Sequence, residues 1–125
     1  MIVLLIALGG AAGALARYGV ANWAFNIWGP SFPAGTLIIN ITGSLVLGVI
    51  MQLAETSSVS PELRAALAIG FCGAFTTFST FSYESLRLMQ DGKWLYAAAN
   101  VLGSVLLGLA AVIAGFQLAG LITKS

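Results

Sequence analysis

The chain has 125 residues, of which 59% are hydrophobic and 7% charged, with a formal net charge of +1 and a mean hydropathy of +1.00. Soluble domains carry about 25% charged residues, so this composition excludes a water-facing globule; without a Lys/Arg cluster it also excludes nucleic acid or an anionic lipid surface as the main partner. There is no His, and Cys72 is the only cysteine, which excludes an internal disulfide framework and a His/Cys metal site and leaves Cys72 as a buried structural thiol.

The charges leave three long gaps: none falls between Arg17 and Glu55, between Arg64 and Glu84, or between Lys93 and Lys124. A membrane-crossing helix needs about 20 mostly apolar residues, and these gaps supply them. The sequence therefore predicts an all-α membrane protein of four transmembrane helices in a single domain, over residues 2–25, 34–54, 61–90 and 93–121. The apolar N-terminus lacks the basic flank of a signal peptide and reads as a retained helix. That first helix carries Gly9, Gly13 and Ala16, a spacing that lets helix backbones approach closely in lipid. Trp23 and Trp28 suit an interfacial belt, and the Pro- and Gly-containing stretch 28–33 is a turn.

After the second helix comes a polar loop over 55–60. Ser60, Pro61 and Glu62 form a helix-start signal: a hydroxyl cap, proline in the first turn and an acid favoured by the dipole. A straight third helix over 61–90 would be about 45 Å long, more than a span requires. Tilt, protrusion into water or an interruption inside the membrane would absorb the surplus. Asp91 and Gly92 make the next turn, and the fourth helix follows. With four spans, Arg64 and Lys124 share a side with the termini, while Arg17, Arg87 and Lys93 lie opposite. Orientation normally follows a Lys/Arg excess, and two against three is almost none. The expectation is dual topology and an antiparallel homodimer.

The third helix concentrates Thr76, Thr77, Ser79, Thr80 and Ser82 among Phe75, Phe78 and Phe81, close after Gly70 and Gly73. Hydroxyls can simply bond back to carbonyls one turn earlier. This density beside two glycines instead suggests irregular backbone with a polar lining, tolerated at membrane depth only where protein buries it or a cavity meets it. On the second helix Thr36 and Asn40 share a face; Asn40 serves either an interhelical bond or a pore lining. Tyr96, Asn100 and Ser104 make a polar stripe at spacings of four on the fourth helix. Arg17 either snorkels to the interface or raises the local anion concentration at a pore mouth. Glu84, four residues beyond Thr80, lines a vestibule or caps a solvated helix end.

A cation filter uses rings of carboxylates or carbonyls. The deep side chains here are hydroxyls and an amide, which offer protons to an anion, and the positive edges of Phe78 and Phe81 would add to them. The motifs Gly9-Gly10-Ala-Ala-Gly13 with Arg17-Tyr18, Gly35-Thr36 with Asn40 and Gly43, and Gly70-Phe-Cys-Gly73 through Ser82 closely resemble the Fluc fluoride channels, also called the CrcB family, along the whole chain.

That resemblance implies a passive fluoride-selective channel of a bacterial inner membrane, with two pores in an antiparallel homodimer embedded in the lipid bilayer. It implies a third helix broken near its centre, Phe78 and Phe81 as aromatic boxes, and Asn40 as an ion donor. Tyr96 and Ser104 would lie on a polar track that also holds Asn100. Thr80 and Glu84 would line a vestibule and Arg17 a mouth, with Thr36, Thr77 and Ser79 among the pore residues. It further implies a structural Na+ held by backbone carbonyls of Gly73 and Thr76 from both subunits. The competing expectations are a fluoride–proton antiporter, a small multidrug-type exporter, which needs a first-helix acid that this chain lacks, and a structural membrane subunit. An enzyme is not expected, because no metal ligands cluster and no hydroxyl has a His or Lys base at helical spacing.

Overall fold

In the computed structural model, residues 1–56 and 58–124 are described; Ser57, in the loop over 55–60, and Ser125 lie outside. Four helical segments are long and apolar enough to cross a membrane, and the described residues are otherwise turns, with no strand. The first, α1 (Ile2–Trp28), runs three residues past its expected end. The second, α2 (Ala34–Glu55), and the last, α5 (Trp94–Lys124), match the sequence expectation to within three residues at each end. Gly29 and Gly92 close α1 and open the turn before α5 with φ of +73° and +75°, a left-handed backbone that a Cβ would disfavour.

The third span is two helices. Its first half, α3 (61–75), starts as an α-helix over Pro61–Arg64, widens to a π-helix over Ala65–Cys72 and returns to α over Gly73–Phe75. Ser60 caps it as expected, accepting from the Leu63 N–H at 3.2 Å. At Thr76 and Thr77 the backbone extends, with ψ of 154° and 114°, before α4 (Phe78–Gln90) begins. The break falls near the centre of the 61–90 span, as the resemblance implies, at two threonines of the hydroxyl-rich run. Both glycines keep helical backbone; Gly70 is used for packing.

Two glycine-mediated seams hold the four segments together. Along α1 and α3, a Cβ on Gly9 would collide with the Ala66 carbonyl and one on Gly13 with the Phe71 carbonyl, while one on Gly70 would stand 2.7 Å from the Ile6 carbonyl oxygen. Along α2 and α5, the most extensive helix pair of the protomer, a Cβ on Gly48 would meet the Val112 carbonyl and one on Gly115 the Leu45 carbonyl. Lipid gives apolar helices no solvent-driven reason to associate, so such close backbone approach supplies the van der Waals attraction instead. The first seam follows the spacing seen in the sequence. The second uses glycines that single-helix inspection passes over.

Candidate functional site: a hydroxyl-rich break between two cavities

The break is held open by one side chain. Asn40 on α2 accepts from the Thr77 N–H through Oδ1 at 2.8 Å and donates from Nδ2 to the Thr77 carbonyl at 3.1 Å. An amide that gives and takes one hydrogen bond at the same residue replaces both bonds an intact helix would have made there. The Thr77 hydroxyl completes the restart of α4. It accepts from the Thr80 N–H at 3.2 Å and donates to Thr80 Oγ1 at 3.1 Å, with Ser79 Oγ 3.4 Å away. Thr77 is thus an N-cap buried in the membrane-spanning region.

These bonds redirect the backbone. In an unbroken helix the Gly73 carbonyl would accept from the Thr77 N–H and the Thr76 carbonyl from the Thr80 N–H. Both amides are committed elsewhere, to Asn40 and to the Thr77 hydroxyl. Gly73 is exposed on the protomer surface and Thr76 half-buried. Both border a cavity of about 290 Å³ shared with Asn40, Gly43, Thr77 and Phe78.

The remaining hydroxyls divide. Thr76 donates to the Cys72 carbonyl at 2.8 Å, Ser82 to the Phe78 carbonyl at 2.9 Å and Thr42 to the Ile38 carbonyl at 2.7 Å. These are back-bonds to the preceding turn. Thr77 and Thr80 instead build the break.

The two ring candidates meet, with centroids 5.7 Å apart and planes inclined at 47°. Their surroundings differ: Phe81 is 9% exposed and Phe78 is 80% exposed. Near the first loop a second, larger cavity of about 570 Å³ is bordered by Thr36, Glu84, Arg87, Asp91 and Lys93. Thr36 is buried and borders this cavity together with Glu84. Glu84 Oε1 finds no partner among the described residues. Glu84 and Thr80, paired by spacing, separate here: Glu84 borders the larger cavity and Thr80 turns to Thr77.

The α5 stripe also divides. Tyr96 is 45% exposed and packs edge-to-face on Phe32 at 5.8 Å. Asn100 has no exposed surface and donates from Nδ2 to Ser85 Oγ on α4 at 3.0 Å. Ser104 is half-buried, and its hydroxyl has no partner among the described residues. Arg17 is likewise half-buried, with Nε unpartnered among them. Ser85 is the polar residue that sequence reasoning missed. A lone serine in a hydroxyl-rich helix gives no signal until its partner on another helix is known.

The family described as "CrcB-like protein, Camphor Resistance (CrcB)" matches residues 4–116. The chain belongs to the CrcB family. It is 50% identical over 116 residues, 93% of its length, to a protein of Shewanella sp. (strain ANA-3) named "Fluoride-specific ion channel FluC", and covers 94% of that relative. Relatives of the same name from Shewanella oneidensis and Shewanella putrefaciens are each 49% identical over the same share of both chains. The resemblance carried by the third-span motif therefore reaches nearly the whole chain, and the α3–α4 break lies inside the matched region.

Proposed function

We propose that this protein is a fluoride-selective passive ion channel, not an enzyme, that exports fluoride across a bacterial inner membrane and lowers its cytoplasmic concentration. The observation that carries this reading is a buried break in the third span, lined by hydroxyls and an amide, in a chain half identical to relatives named as fluoride-specific channels. The break contains donors and no carboxylate. Fluoride, small and strongly hydrated, gives up water readily only to hydrogen-bond donors, and neutral donors hold it without trapping it.

The working unit we propose is an antiparallel homodimer with two pores. Several features support it. The protomer leaves Phe78, Ser79, Ser82 and Tyr83 exposed along one membrane-spanning half-helix, where lipid would meet hydroxyls. The basic residues are almost evenly divided between the two ends, as a chain inserting in both orientations requires. In this assembly Phe78 and Phe81 present ring edges to the ion and Asn40 contributes its remaining amide proton. Thr36, Thr77, Ser79, Thr80, Tyr96, Asn100 and Ser104 complete or support the polar path, Glu84 borders the vestibule and Arg17 stands at a mouth.

The diverted carbonyls of Gly73 and Thr76 fit a structural Na+ shared by two subunits. Carbonyl oxygens freed from helical bonding are suitable ligands for a hard monovalent cation, and among the described residues no cluster of acidic, His or Cys side chains competes for a metal. When bound, the ion supplies fixed positive charge that ties the two breaks together.

The test is fluoride efflux from proteoliposomes with a potassium ionophore present, with chloride as the control. Rapid fluoride efflux with chloride retained is expected; equal efflux of both ions would reject selectivity. Reporter fusions at the C-terminus should appear on both sides of the membrane, and a single orientation would reject the antiparallel pair.

A further inference from the structure

Because the third span is broken, α4 does not inherit its rotation about its own axis from α3. Anchors from neighbouring helices must set it. Asn40 holds the start of α4 through Thr77, and farther along a second amide does the same work. Asn100 Nδ2 donates to Ser85 Oγ at 3.0 Å, and the Ser85 hydroxyl donates to the Phe81 carbonyl at 2.8 Å. Ser85 is 5% exposed and Asn100 0%, so water cannot substitute for either partner. Among the described residues this is the only side-chain hydrogen bond between α4 and α5.

We propose that Ser85 is a positioning residue of the conduction path, acting with Asn100 to fix the rotation of α4 and with it the seat of the Phe81 ring. The proposal rests on the channel reading above. The chemistry is directional. A hydroxyl has one proton; spending it on the Phe81 carbonyl turns the Ser85 lone pairs outward, where the Asn100 amide meets them. Phe81, Ser85 and Leu88 form the buried face of α4, and the chain of bonds holds that face against α5 while Phe78 stays exposed. Sensitivity follows from lever length: a rotation of about 20° moves a ring about 6 Å from the helix axis by about 2 Å, and because Phe78 and Phe81 both stand on α4, it carries the pair together off its seat against the neighbouring helices. Asn100 acts from a site with no free surface of its own, through Ser85.

The experiment compares wild type, Ser85→Ala, Ser85→Thr, Asn100→Ala and the double variant Ser85→Ala/Asn100→Ala, measured as fluoride efflux per reconstituted dimer together with fluoride-over-chloride selectivity. Ser85→Ala should lower efflux per dimer about tenfold, the population change that one buried hydrogen bond controls, and should relax selectivity. Ser85→Thr, which keeps the hydroxyl, should stay near wild type. Adding Asn100→Ala to Ser85→Ala should cost little more, because the two act as one unit. If Asn100→Ala yields no dimer, Ser85→Cys replaces it and should fall between alanine and threonine. Wild-type efflux and selectivity in Ser85→Ala, independent multiplicative losses, or a lowered melting temperature with unchanged transport per dimer would overturn the positioning role. Absence of fluoride efflux in the wild type would instead overturn the channel reading.

Discussion

Replacing Asn40 with aspartate separates the two tasks of this side chain at nearly constant volume. The carboxylate still accepts from the Thr77 N–H, the 2.8 Å bond, but the atom now facing the Thr77 carbonyl at 3.1 Å is an oxygen with no proton. One hydrogen bond is lost and the Thr77 carbonyl is left unpaired, a structural cost of about 1–3 kcal/mol, so the dimer should survive. Conduction should not. A unit negative charge about 4 Å from a passing anion, at an effective dielectric of about 20, raises its energy by about 4 kcal/mol, which lowers occupancy roughly 1000-fold. Asn40→Ala provides the contrast. It adds no charge but leaves both Thr77 backbone groups unpaired, at about 1–3 kcal/mol each, so it should lower the melting temperature more than aspartate does. Fluoride-electrode efflux from liposomes and thermal melting in detergent read the two effects. Asn40→Asp with fluoride efflux within about threefold of wild type, given the tenfold-per-1.4 kcal/mol scale, would refute the placement of Asn40 beside the ion.

Three further outcomes are expected. Phe78→Ile and Phe81→Ile should each nearly abolish fluoride efflux, but only Phe81→Ile should also lower protomer stability, by about 1 kcal/mol, because Phe81 is 9% and Phe78 80% exposed; wild-type flux in both would reject the aromatic role. Gly115→Val should separate α2 from α5, since even a Cβ there meets the Leu45 carbonyl, and should cost about 1–3 kcal/mol in detergent melts, whereas Gly103→Ala, with open space around it, should melt as wild type. Exhaustive removal of Na+ should destabilise the dimer and slow efflux, with recovery on adding Na+ but not the larger K+; full activity after removal would reject the carbonyl site at Gly73 and Thr76.

Much of the fold could be read directly. Charge-free intervals define the spans because a charge at membrane depth is expensive, and Ser60 behaves as the cap its neighbours suggest. The interior of the third span was less legible. In an all-apolar run such as Ala65–Cys72, the pattern is the same for π and α hydrogen bonding, so nothing distinguishes the π-helix. The hydroxyl-rich run beside the glycines and the family resemblance both point to a break, but Asn40 gripping Thr77 makes it, an interaction across 37 residues that no local window contains. The same reason hid Ser85 and split the Tyr96, Asn100 and Ser104 stripe, since a spacing of four fixes a helix face but not which neighbour that face meets. Family resemblance names candidate residues; hydrogen bonds between helices show which neighbours Asn40 and Asn100 meet.

The most direct test of passive fluoride selectivity is the reversal potential of the reconstituted protein under a tenfold fluoride gradient, with equal chloride on both sides. A passive channel for a monovalent anion predicts a magnitude of about 59 mV, unmoved when a tenfold proton gradient is added. A reversal potential well short of that magnitude would mean that chloride passes along with fluoride, and one that shifts with pH would mean coupled proton transport; either contradicts the account.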